Sequence, residues 1–225
     1  MYPDDIVSII FLYLKQPDAV KTAKLFPGKR WKVTFWADGD DYERLSKMFV
    51  ITKVFDWHKS TFPDSITYLR LGDYFNRPLD NLTLPNNLIH LKFGWGFNHL
   101  LDNTVLPNNL IHLEFGWYFN QPLDNVKLPE NLQHLEFDNR FDQPMDNVKL
   151  PNTLTHLKFG RHFNQPLDKV TLPNNLTHLT FGNQFNQPLD EVKLPDNLTH
   201  LEFGYHFKQS LDNVNLPPNI KIIRT

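Results

Sequence analysis

A unit of 22 residues recurs through most of the 225-residue chain without a break in register. Phenylalanine marks it at Phe75, Phe97, Phe119, Phe141, Phe163, Phe185 and Phe207, and proline at Pro63, Pro85, Pro107, Pro129, Pro151, Pro173, Pro195 and Pro217. No insertion or deletion interrupts the spacing from Phe62 onward. Such a fixed period constrains the fold strongly, because each coil of a solenoid must stack on the next with equal rise. Equivalent residues then lie about 4.8 Å apart, one strand spacing, so every position of the unit becomes a physical column.

The stretch LTHLTF (Leu176–Phe181) predicts a short strand with Leu176, Leu179 and Phe181 inward and His178 and Thr180 on the opposite face. Gly182 permits a sharp exit, and Pro166 and Pro173 in the return FNQPLDKVTLP resist a helix. A coil this short has little room for a long helix beside a strand. Parallel strands are therefore expected on one face, with turns, extended segments or single 3₁₀ turns on the other.

Each column can be weighed as a unit. The phenylalanines, apolar at every level, predict a stacked aromatic core. The asparagines at 98, 120, 164 and 186, and at 87, 109, 131, 175 and 197, are expected to satisfy backbone groups in the turns. Seven aspartates, Asp80 to Asp212, would repel one another; capping of the following N–H groups, helped by Lys127, Lys149 and Lys193, is the expected compensation. Glycine-rich turns of the kind that stack calcium in β-rolls are missing.

The histidines His90, His112, His134, His156, His178 and His200 form a column on the outer face of the strands. Zinc ligation by neighbouring rungs is one reading and a solvated ladder the other; equal rungs offer no unique site, so no metal is expected. Nothing supplies a nucleophile–base–orienter set, a phosphate-cradling glycine loop or an isolated carboxylate pair, so the chain reads as a non-enzyme without a cofactor. Positions where the copies differ carry more information. Glu114 and Glu136 flank the histidines, while Trp95, Trp117, Arg161 and Tyr205 stand at strand exits. These residues, with the histidines, are the expected partner-binding set, since large exposed aromatics are enriched at binding hot spots.

Composition narrows the class. A net charge of −2 offers no basic surface for nucleic acid. The chain has no Cys, which removes disulfides and thiolate chemistry and fits a reducing compartment. Ile6–Leu14 is too short to span a membrane and follows Asp4 and Asp5, unlike a signal peptide. A soluble cytoplasmic protein is the expectation.

LPNNLTHLTFGNQF resembles the leucine-rich-repeat template L-x-x-L-x-L, and the full unit FNQPLDNVKLPENLQHLEFD resembles the FNIP repeat, a short variant of that class. The resemblance covers roughly residues 60–225, with departures at Leu100, Asp142, Met145, Lys208 and Ser210. It implies a mainly β, right-handed solenoid of about seven coils over residues 51–225, its parallel sheet on the concave face, there to bind another protein.

Residues 1–50 lack the repeat. Ile6, Ile9, Ile10, Tyr13 and Leu14 are spaced as one oily face of a helix, and a second short helix is expected from Asp18 to about Leu25. Such a segment could cap the first core layer of the solenoid. Pro3, Asp4, Asp5, Ile6, Ile10, Phe11, Tyr13, Leu14 and Trp31 also resemble an F-box, although Tyr2 replaces its leucine and WKVTFW alternates like a strand. That resemblance implies docking to a Skp-type adaptor of a cullin–RING ubiquitin ligase through Ile6, Ile10, Leu14 and Trp31. A metal- or pH-responsive module built on the histidine column is the alternative. At the far end, PPNIKIIRT begins another strand, with Ile222 expected in the histidine column and Thr225 in the phenylalanine column. Its edge would be open to pairing with a second copy.

Overall fold

A three-residue strand has too few hydrogen bonds to persist alone, so it forms only where its neighbours form with it. The computed structural model describes residues 31–33, 49–51, 53–55, 62, 64–80 and 82–225 and stacks nine strands of three or four residues into one parallel sheet. They are β3 (Lys53–Phe55), β4 (Tyr68–Arg70), β5 (His90–Lys92), β6 (His112–Glu114), β7 (His134–Glu136), β8 (His156–Lys158), β9 (His178–Thr180), β10 (His200–Phe203) and β11 (Lys221–Arg224), in chain order across the sheet. Between β4 and β10 every pairing advances by one repeat, so Leu lies beside Leu throughout, Tyr68 beside His90, and His beside His from β5 onward. Strands β1 (Trp31–Val33) and β2 (Phe49–Ile51) pair in parallel as a separate two-stranded sheet. Among the described residues there is no helix. The expected helices of the first 25 residues, with Ile6, Ile10 and Leu14, lie outside the described residues, as does the side chain of Trp31.

The core follows from strand alternation. The central leucine of each triplet, Leu69 through Leu201, is at most 1% exposed, while its neighbours face outward. Behind the sheet stand two phenylalanine columns. Phe93, Phe115, Phe137, Phe159, Phe181 and Phe203 stack at 5.2–5.8 Å. Phe97 to Phe207 stack at 6.0–6.1 Å. The columns interlock within each coil, at 3.8 Å between Phe137 and Phe141. Removing one such ring would cost about 3–5 kcal/mol. Arginines cover both ends of the second column: Arg77 lies 5.1 Å over Phe75 and Arg224 lies 5.7 Å over Phe207.

Glycine at the strand exit answers to close approach of successive coils. A Cβ on Gly116 would meet the Gly94 carbonyl oxygen at 2.0 Å, and one on Gly160 the Asp138 oxygen at 1.7 Å. The asparagines act between coils. Asn120 Oδ1 accepts the Asp142 N–H at 2.9 Å and the Gln143 amide at 3.0 Å, and Asp142 Oδ1 takes over the same role for Asn164 and Gln165. In the second column, Asn131 Nδ2 donates to the Asn108 carbonyl at 2.9 Å, and Thr153 Oγ1 donates to the Glu130 carbonyl where asparagine is replaced.

Two expectations are corrected. The aspartate turns are closed by backbone bonds, such as Val126 N–H to the Leu123 carbonyl at 3.0 Å, rather than by aspartate capping. With Asp124 exposed at the corner of that turn, water screens the carboxylates. The last strand is also shifted by one residue: Lys221, not Ile222, lies beside His200, and Arg224, not Thr225, beside Phe203. Ile222 and Ile223 interrupt the leucine–phenylalanine alternation that sets the register elsewhere.

The open face and its aromatic margin as the candidate functional site

The outward side chains of β4–β10 line up in register because the strands do. The column nearest the strand entries begins with Tyr68, whose ring lies 4.3 Å from that of His90. The histidine rings follow at 5.0 Å (His90–His112) and then at 4.2–4.3 Å down to His200, tilted by no more than 21°. Stacking leaves them half-buried rather than fully solvated, and this changes their chemistry. Burial, followed by repulsion from His112 and His156, pushes the His134 pKa down to about 4. Burial also lowers those of His112, His156 and His178. At neutral pH these four are uncharged imidazoles.

Two residues further along each strand runs a column of charge. Glu114 receives both His90 Nε2 at 2.6 Å and Lys92 Nζ at 2.5 Å. The His90 hydrogen bond, reinforced by Lys92, holds the Glu114 pKa down at about 2. Glu136 pairs with Lys158 across the gap between β7 and β8, and Arg70 reaches Asp73 at 2.6 Å. Each is a cross-strand pair or a short local one, and each is partly exposed, so together they neutralise the face more than they stabilise it.

At the strand exits the repeats diverge. Trp95 is 61% exposed and Trp117 40%, with ring centroids 6.5 Å apart. Tyr74 and Tyr118 extend this margin, and the Arg140 guanidinium lies 5.0 Å over the Tyr118 ring. Arg161 and Tyr205 are exposed further along the same margin, while Asn139, in the Trp117 column, is buried.

The structure therefore brings His90, Glu114 and Lys92 into direct contact and places His112, His134, His156, His178 and Glu136 on the same face. Trp95, Trp117, Arg161 and Tyr205 lie along its edge. Sequence reasoning passed over Tyr68, although it sits one repeat before His90, and passed over Tyr74 and Tyr118, one position beyond the expected aromatic column. It also passed over Thr155, Thr177 and Thr199, each immediately ahead of a histidine and within 2.9–3.0 Å of its Nδ1. Their signal was the thrice-repeated Thr-His pair.

Chemically the face is poorly arranged for metal. Nearly parallel rings direct their nitrogen lone pairs side by side instead of toward one point, and no three His, Asp or Glu side chains gather as a metal-binding group among the described residues. The hydroxyl contacts fall on His156, His178 and His200, whereas the carboxylate contact falls on His90, so no histidine carries both. No described helix is long and apolar enough to cross a membrane.

The model of the FNIP Repeat family matches residues 58–96, 75–118, 97–140, 119–162, 163–192 and 185–224. Among solved structures, the chain is similar to CroV588, described as a novel circular LRR protein, with a TM-score of 0.53 and 33% identity over 78% of this chain. The match spans 36% of that protein's length. No curated protein matches the chain.

Proposed function

Because the chain belongs to the FNIP-repeat family, we propose that it is a protein-interaction scaffold that holds a second protein against the open face of its sheet and the aromatic margin beside it. LRR-like solenoids are typically non-enzymatic scaffolds, and this architecture suits that role. The observation that carries the reading is the pair Trp95 and Trp117, one coil apart and 61% and 40% exposed, whereas the phenylalanine columns from Phe93 to Phe207 are buried. Large apolar rings left in water beside a charge-neutralised surface are the usual material of binding hot spots. The test is affinity capture from native cells with the full chain, repeated with Trp95→Ala/Trp117→Ala. A protein captured by the wild type should be lost, or bind at least about tenfold more weakly, with the double variant. Equal capture by both would overturn the assignment of the margin.

A finer form of this reading makes the chain a substrate-recognition subunit of a cullin–RING ligase, with residues 1–50 as a separate docking segment and 51–225 as the solenoid. Its support is the F-box resemblance around Ile6, Ile10, Leu14 and Trp31. Mixing the full chain with a purified Skp-type adaptor checks it: binding should be lost in Ile6→Asp/Ile10→Asp, and absence of wild-type binding removes the ligase reading. The pH-responsive alternative is favoured by one observation, the lowered proton affinity of His134 and its neighbours. Pairing of β11 with a second copy is tested by sedimentation of the chain across concentration.

A further inference from the structure

The histidine column is not made of equal rungs. Thr155, Thr177 and Thr199 precede His156, His178 and His200, whereas Ile89, Ile111 and Gln133 precede His90, His112 and His134. Each threonine Oγ1 lies 3.0–3.1 Å from a carbonyl oxygen one coil back, those of Gln133, Thr155 and Thr177 respectively. The same oxygen lies 2.9–3.0 Å from Nδ1 of the histidine that follows it. A carbonyl can only accept, and a hydroxyl has a single hydrogen. If that hydrogen went to Nδ1, two oxygens would face each other at hydrogen-bonding distance with nothing between them. Both contacts are satisfied only as Nδ1–H donating to Oγ1 and Oγ1–H donating to the carbonyl. At the other end, His90 directs Nε2, not Nδ1, at the Glu114 carboxylate, which can only accept.

We infer that Thr155, Thr177 and Thr199 hold His156, His178 and His200 as Nδ1–H tautomers, so that their unprotonated Nε2 atoms form a row of hydrogen-bond acceptors along the open face. The three threonines are positioning residues for that row. Nothing among the described residues hydrogen-bonds these Nε2 atoms, and none is sealed from solvent. The charged groups near the row are Lys158, held by Glu136, together with Glu202 and Lys221. Such a row selects among partners. It accepts amide, hydroxyl or ammonium donors from a bound protein segment and disfavours bare carbonyls and carboxylates. This inference deepens the protein-binding reading and rests on it for its consequence, but the tautomers can be measured on the chain alone.

Long-range ¹H–¹⁵N correlation spectra of the ¹⁵N-labelled full chain at pH 7.5 report which ring nitrogen carries the proton. His156, His178 and His200 should show protonated Nδ1 and unprotonated Nε2, and His90 a protonated Nε2. Thr177→Val should shift His178 toward mixed tautomers, and Thr177→Ser should restore it. A protonated Nε2, or a mixture, at these three histidines in the wild type would overturn the inference. So would a folded Thr177→Val chain with His178 unchanged. If the valine variant does not fold, the wild-type spectrum decides alone. Loss of capture in Trp95→Ala/Trp117→Ala, or its persistence, leaves this readout unaffected, so the two failures are distinguishable.

Discussion

At the scale of single residues, the repeat explains both the rule and the exceptions. Column positions filled by Val126, Val148, Val170, Val192 and Val214 are buried, and Thr104 occupies the same column in an earlier coil. Its Oγ1 is buried without a hydrogen-bond partner. An unsatisfied buried hydroxyl costs about 1–3 kcal/mol, and valine has the same shape. Thr104→Val should therefore stabilise the chain by about 1 kcal/mol, read as a rise of a few degrees in the thermal midpoint. A fall would mean that the hydroxyl is satisfied. The Glu114 carboxylate is the opposite case, a charged group satisfied twice, by His90 and Lys92. Its lowered pKa contributes stability that is present above about 4.5 and is lost as pH falls toward about 2.

At the scale of the element, a coil is defined by what it presents to the next one. The Phe-Asn-x-Pro signature is legible in these terms: phenylalanine fills the second stacked column, and asparagine accepts the N–H of the following coil. The glutamine that stands between asparagine and proline donates to the asparagine one coil back, as Gln121 does to Asn98 at 3.0 Å. Two substitutions separate the contributions. Asn120→Ala leaves the Asp142 N–H without its acceptor in a half-buried site and should cost about 1–3 kcal/mol in denaturant unfolding. Gly160→Ala places a methyl group 1.7 Å from the Asp138 carbonyl, so the coils must separate. It should cost more than Asn120→Ala, and a smaller loss would mean that the coils can part there freely. Glycine at the exit read as a turn residue, yet its role is the approach of the next coil, which no single repeat contains.

At the scale of the whole molecule, stability in a solenoid is a sum over coils and their interfaces, so a property repeated in every coil is amplified. The histidine column is such a property. A histidine whose pKa is lowered on folding binds fewer protons folded than unfolded. For His134 the stability is therefore complete above about 6.5 and is lost as pH falls toward about 4. His112, His156 and His178 shift in the same direction, so their contributions add. The thermal midpoint should fall by several degrees between pH 7.5 and pH 5, and His134→Tyr, which copies Tyr68 at the head of the column, should reduce that fall. A flat profile would show that the rungs take up protons freely by unstacking.

Spacing along the chain is enough to decide that it coils, how many residues each coil holds, which residues face inward and which columns exist. A period of 22 without insertion sets the register of stacking from β4 to β10, and strand alternation assigns the faces. What it left undecided were relations between columns. Only the stacked coils bring Glu114 to both His90 and Lys92, seat Arg140 on Tyr118, and give each Thr-His pair the carbonyl of the preceding coil. Only the terminal strand itself decided that Lys221 lies beside His200. The physical reason is common to all of these. A column is a property of spacing along the chain, whereas a contact between columns depends on twist, side-chain rotamer and which donor reaches which acceptor first, and those are settled in three dimensions.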